Sequence, residues 1–210
     1  AAVLSSLVSK GYIFLLMKIM YRVIGLDVIV STGIQDVLFV FALVGMVMGS
    51  ISAIRQTDIR RMIAFSSVAQ IGYVFMGIGL GTDEGMMAAT FHIFSHAVCK
   101  SMLFLAAGGL ADASNNSKKF RDLRGAGFRS PIAGVAFTIG ALSMVGFPFL
   151  GGFASKLNFA LAAMDVGGAR TMLVLITLAI STWLNTLYFL RTVITLYRKP
   201  VPGAVYSVAR

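Results

Sequence analysis

Residues 86–110 read Met86-Met-Ala-Ala-Thr-Phe-His-Ile-Phe-Ser-His-Ala-Val-Cys-Lys-Ser-Met-Leu-Phe-Leu-Ala-Ala-Gly-Gly-Leu110. The stretch holds no carboxylate and a single formal cation, Lys100. A helix needs about 20 mostly apolar residues to cross the roughly 30 Å hydrocarbon core of a bilayer, and this one is long enough. The rest of the chain reads in the same way. Of its 210 residues, 58% are hydrophobic and 12% are charged, where soluble domains average about 45–50% and about 25%. So few charges cannot cover that much apolar surface in water. This excludes an ordinary soluble enzyme, a disordered chain and a secreted disulfide scaffold. Cys99 is the one cysteine, so neither an intramolecular disulfide nor a multi-cysteine metal or iron–sulfur site can form.

Working outward, six segments are apolar enough to span: 1–24, 36–54, 62–81, 86–110, 131–164 and 171–197. Their borders carry helix start and stop chemistry. Thr57-Asp58 caps the third, Gly108-Gly109 closes the fourth, and Ser130-Pro131 opens the fifth with proline in the first turn. The longest polar stretch, 111–130, is expected to be a loop rather than a second domain. The opening Ala1-Ala2-Val3-Leu4 already lies inside an apolar run, with no basic leader before it. It reads as part of a longer protein and not as a signal peptide.

The net charge of +10 follows from topology. If the six spans alternate, twelve cations fall on one face: Arg55, Arg60, Arg61, Lys118, Lys119, Arg121, Arg124, Arg129, Arg191, Arg198, Lys199 and Arg210. The other face has three, Lys18, Arg22 and Arg170. Positive residues stay in the cytoplasm, so both ends of the chain are expected there. No basic stripe interleaves with aromatics on a soluble surface, which argues against nucleic-acid binding.

Three lysines remain, Lys10, Lys100 and Lys156, each inside a span. An ammonium at the bilayer centre costs about 2.5–3.5 kcal/mol on insertion scales. Snorkelling is one explanation, but Lys10 and Lys100 lie ~20 Å from the outer ends of their helices, farther than a lysine stem reaches. Lys156 is nearer to its helix end, and snorkelling stays open there. His92, His96 and Lys100 recur at i, i+4 and i+8 and share one face. A metal would need an anionic third donor where this face offers an ammonium. A hydrated polar file fits better, because imidazole can accept a proton on one nitrogen while donating from the other. Ser66, Gln70 and Tyr73 form a second polar face on the third span. Alone they are ordinary helix–helix glue; beside the histidines they would hold the waters of the file.

The fifth span, 34 residues long, would stretch to ~51 Å if continuous. It contains Gly146-Phe-Pro-Phe-Leu-Gly-Gly152, so either a proline kink or an unwound break is expected. Gly146, Pro148, Gly151 and Gly152 mark a broken helix of the kind that lines ion sites. Carbonyls at such a break would stabilise Lys156.

Three stretches together resemble the antiporter-like membrane subunits of the complex I superfamily. That superfamily covers NADH:quinone oxidoreductase, multisubunit Mrp-type antiporters and membrane-bound hydrogenases. Asp58-Ile-Arg-Arg-Met-Ile-Ala-Phe-Ser-Ser-Val-Ala-Gln-Ile-Gly72 is similar to the family's D-x-K-R-x-x-A-Y-S-S-x-x-Q-x-G run. Residues Phe91–Gly108 are similar to its H-x-x-x-H-x-x-x-K helix, and Gly146–Lys156 to its G-x-P-x-x-G-F-x-S-K break. Arg60, Phe149 and Cys99 depart from the usual lysine, proline and aromatic.

The resemblance implies an all-α polytopic transmembrane bundle and a single transmembrane domain over 1–210. Residues 1–24 would be the last helix of a first repeat, and 36–197 a second, inverted five-helix repeat with a broken fifth span. It implies proton translocation in a redox-driven complex of an energy-transducing bacterial or archaeal membrane, through a relay of Lys10, His92, His96, Lys100 and Lys156. A subunit of a Na⁺/H⁺ antiporter is the alternative. No redox chemistry and no cofactor are expected in this chain. Its partners would be the lipid bilayer, other membrane subunits, and redox subunits carrying flavin and iron–sulfur clusters.

Overall fold

The computed structural model describes residues 3, 5 and 8–200, and the fold is helical throughout them. Helix α1, Ser9–Lys18, runs on as a π-helical segment, Ile19–Ile24, and stops at Gly25. Then follow α2 (Leu26–Thr32), α3 (Ile34–Ile54), α4 (Ile59–Gly79) and α5 (Asp83–Asp112). The short α6 (Ala126–Arg129) precedes α7 (Pro131–Val145), α8 (Gly151–Val166) and α9 (Gly168–Leu196).

The helix ends follow local chemistry. Asp58 caps α4, its carboxylate accepting from the backbone N–H of Arg60 at 2.8 Å and of Arg61 at 3.1 Å. α4 therefore begins at Ile59 instead of 62. Thr82 caps α5 by accepting from the Gly85 N–H at 3.1 Å. Asp83 and Glu84 in its first turn complement the positive end of the helix dipole. Pro131 opens α7 as expected. Gly108-Gly109 does not close α5, which continues to Asp112. A Cβ on Gly109 would lie 3.2 Å from that of Ala133, so this glycine serves the close approach of α7 rather than a cap.

Helices α3, α4, α5 and α9 are each long and apolar enough to cross a membrane. Among the described residues, four such helices stand where six spans are expected, the fifth of those six being expected to break. The fifth segment is two shorter helices, α7 of 15 residues and α8 of 16. The first segment reaches partly outside the described residues, and what is described is a ten-residue helix with a six-residue π-helical end. Arg210 of the basic C-terminal group also lies outside them.

α4 is the central helix: 72% of its apolar window is buried, against 33% for α3 and for α9. Two apolar clusters surround it. One gathers Phe39, Tyr73, Ile93 and Phe159, and the other Met62, Leu103, Phe137 and Phe189. Along α5 the polar face from His92 to Lys100 runs between them. The polar stretch 111–130 is more ordered than a plain loop. Ile59 N–H donates to the Lys118 carbonyl at 2.9 Å and Phe120 N–H to that of Thr57 at 3.0 Å. Arg129 ties Ala113, Ser114 and Arg124 together, and Leu123 and Ala126 are buried beneath.

Candidate proton-relay site

The i, i+4 spacing on α5 stacks the rings of His92 and His96, with centroids 5.6 Å apart and planes 13° from parallel. Tyr73 of α4 continues the stack, 5.4 Å from His92, and Phe159 of α8 closes its side at 5.5 Å. His92 Nδ1 lies 2.6 Å from the Ser155 hydroxyl of α8. His92 Nε2, both ring nitrogens of His96, Gln70 Nε2 and the Tyr73 hydroxyl are buried without a hydrogen-bond partner among the described residues. Buried polar atoms are normally satisfied by protein or by water. Gln70, His92, His96 and Lys156 border a small cavity of about 10 Å³, room for about one water.

Lys100 is completely buried. Its ammonium turns from the α5 face toward α4, donating to the Ile63 carbonyl at 2.8 Å and to the Ser66 hydroxyl. Ser66 in turn donates to the same carbonyl at 2.8 Å. A mid-helix carbonyl and a rotatable hydroxyl thus hold the charge. Lys10 is buried too and donates to the carbonyl of Ser5, five positions earlier in the chain. Phe14 meets Phe94 edge to face at 6.5 Å, docking α1 on α5.

Lys156 does not snorkel outward. Its ammonium caps the broken helix, donating to the Val145 carbonyl at 2.6 Å and to that of Met144 at 3.2 Å. These are among the last carbonyls of α7, which have no partner within their own helix. The break is a true unwinding between Val145 and Gly151 rather than a proline kink. Gly146 permits it with φ +97°, and a Cβ there would press to 3.2 Å from Lys156 Nζ. Gly152 is sterically obligatory, since a Cβ would fall 1.7 Å from the Ser143 carbonyl oxygen. Gly151 packs on Ser95, while Pro148 sits in the unwound segment itself.

Most of the expected site residues lie in the interior of the bundle, whereas Pro148 and Gly151 of the break are exposed. Gln70, His92, His96 and Lys156 share the cavity; Ser66 and Lys100 sit one step away on the α4 side; Lys10 approaches from α1. Sequence reading missed Ser155, although it immediately precedes Lys156 in the broken-helix motif. It missed the contact of Cys99 with Ser143, sulfur to oxygen 3.1 Å. It also missed a buried polar stripe on α9, Ser181, Asn185, Tyr188 and Thr192. Asn185 accepts from the Tyr188 hydroxyl at 2.5 Å and from Ser50 of α3 at 3.4 Å. The signal was present, since these residues recur at i, i+4, i+7 and i+11 in an apolar helix.

With this geometry in hand, comparison with known proteins is specific. Residues 1–182 match the family model described as NADH:quinone oxidoreductase/Mrp antiporter, transmembrane. The chain is 36% identical over 205 residues to NADH-quinone oxidoreductase subunit N of Desulforudis audaxviator, covering 97% of this chain and 40% of that protein. It is similar to a chain of the membrane-bound sulfane sulfur reductase, an archaeal respiratory membrane complex, with TM-score 0.85 and 30% identity over all of this chain and 41% of the other. A chain of the Mrp complex from a Dietzia species gives TM-score 0.79 at 26% identity, over 96% of this chain and 36% of that one. The chain therefore spans about two fifths of the length of each of these three chains. By family match, similarity and apolar helices, this is an integral protein of energy-transducing membranes that belongs to the NADH:quinone oxidoreductase/Mrp antiporter transmembrane family.

Proposed function

We propose that this chain carries protons across the membrane as part of an antiporter-like subunit in a redox-driven complex. The observation that carries the reading is the enclosed Tyr73–His92–His96 stack, four of whose polar atoms, with Gln70 Nε2 as a fifth, have no hydrogen-bond partner among the described residues, set between Lys100 and Lys156 inside apolar helices. A water in the small cavity would bridge Lys156 to the imidazoles, and His96 would pass charge on toward Lys100. Positive charge on one lysine disfavours charge on the next, so successive protonation along Lys10, Lys100 and Lys156 can drive transfer electrostatically.

In this reading, residues 36–197 are the second of two inverted repeats and 1–24 the last helix of the first. Both ends of the chain face the cytoplasm, where the basic residues collect. Electron transfer belongs to partner subunits bearing flavin and iron–sulfur clusters, with other membrane subunits alongside, and this chain supplies no redox group. Sodium is the weaker cargo, because it wants anionic or carbonyl oxygens and the cavity is lined by no carboxylate.

The test is to purify the complex that holds this chain, identify its redox subunits by co-purification, and reconstitute it in vesicles with an internal pH dye. Driven by its electron donor, wild type should acidify the lumen. Lys100→Met should oxidise the donor while acidification falls to background. Undiminished acidification in that variant would overturn the proposal.

A further inference from the structure

Where the start of α4, the ordered loop and the last turns of α9 meet, an open cavity of about 560 Å³ is walled by Lys119, Arg121, Arg124, Arg191 and Arg198, with Ile194 also lining it. Among the described residues the one ion pair joins Arg170 to Asp36, at the opposite end of α9. None of the five cations of the cavity therefore has an ion-pair partner among the described residues. Arg191 is held in place, donating to the Ile54 carbonyl at 3.2 Å and lying 5.5 Å from the centroid of the Phe120 ring. Membrane topology explains why arginines lie on this side; it does not explain their convergence on one concavity. Such self-repulsion favours an anion as occupant.

The wall continues downward. Ile194, Leu190, Leu187 and Trp183 recur at i, i+4, i+7 and i+11 on α9 and are 40–64% exposed. They form an apolar strip that starts at the cavity and descends ~16 Å into the bilayer. The opposite face of α9 is the buried polar stripe of Ser181, Asn185 and Thr192, so the two faces are chemically distinct.

We propose that the cavity holds the headgroup phosphate of an anionic phospholipid, with an acyl chain lying along Ile194, Leu190, Leu187 and Trp183. Guanidinium groups suit phosphate by forked hydrogen bonding. Basic residues near an anionic headgroup attract it, so four or five together should give a preference over neutral lipid of at least about tenfold. Inorganic phosphate shares the headgroup chemistry, but it would have no use for the strip.

Trp183, the one tryptophan of the chain, is the built-in probe. Its fluorescence is measured as the difference between wild type and Trp183→Phe, in nanodiscs carrying equal fractions of either phosphatidylglycerol or phosphatidylcholine brominated low in the acyl chain. Brominated phosphatidylglycerol should quench about tenfold more effectively. Arg121→Gln/Arg124→Gln/Arg198→Gln should remove the difference. Ile194→Glu, which leaves the cation count and hence the topology signal intact, should remove it too. Equal quenching by the two lipids in wild type overturns the proposal and leaves the face to a protein partner. A preference that survives in both variants overturns it as general surface charge. Stabilisation of wild type by inorganic phosphate in phosphatidylcholine discs, with no lipid preference, assigns the cavity to free phosphate and also overturns it.

Discussion

Lys156 and Lys100 both lie among helices of the same bundle, yet Lys156 meets the end carbonyls of α7, whereas Lys100 meets an internal carbonyl of α4 and the hydroxyl of Ser66. The end carbonyls have no intrahelical partner, and the negative end of the helix dipole stabilises a cation placed there. Lys156 thus completes the backbone of the break as well as carrying charge. The Ile63 carbonyl already accepts from Ser66 at 2.8 Å and from Ser67 at 3.2 Å, so Lys100 holds a shared acceptor and a hydroxyl that can rotate. One lysine is built into the fold; the other is built to change partners.

Substitutions at these positions test the contrast. The largest effect should come from Lys100→Met, with proton transport at background and thermal stability in nanodiscs close to wild type. Lys156→Met should reduce transport and also lower stability by about 1–3 kcal/mol, because the Met144 and Val145 carbonyls lose their donor. Equal stability losses in the two variants would erase the distinction. Gly152→Ala tests the seat of Lys156, since its methyl would overlap the Ser143 carbonyl. A loss of about 3 kcal/mol or more, read as failure to assemble at growth temperature, is expected. Ser155→Ala removes the side-chain partner of His92 Nδ1 and should cost about 1–3 kcal/mol in thermal unfolding, with slower transport. The smallest effect concerns Phe149, a fully exposed residue at φ +70° within the break. Phe149→Gly should relieve about 1 kcal/mol of backbone strain and raise the melting temperature slightly.

Much of this site was legible before folding. The i, i+4, i+8 spacing put His92, His96 and Lys100 on one face, and glycines flanking Pro148 marked the break. Asp58 announced its own cap. The partners were not legible. Nothing local says that Ser155 reaches His92 or that Lys100 turns to Ile63, because those contacts join residues 63 and 37 positions apart. The lengths of the two halves of the broken fifth span were not legible for a related reason. Hydropathy sees a window of composition, whereas the 15- and 16-residue lengths of α7 and α8 depend on where Gly146 and Gly152 fit against Lys156 and Ser143.

Composition and periodicity by themselves determined a helical membrane bundle, its polar faces and its interrupted helix, because helical rotation per residue and the thickness of hydrocarbon are the same for any chain. Which faces meet was decided only by tertiary packing. Small-residue contacts such as Gly49 on Ala69, where a Cβ would lie 2.6 Å from the backbone nitrogen, set how α3 and α4 pack. Long-range contacts of this kind bring Tyr73 over His92 and close the interior around the lysines.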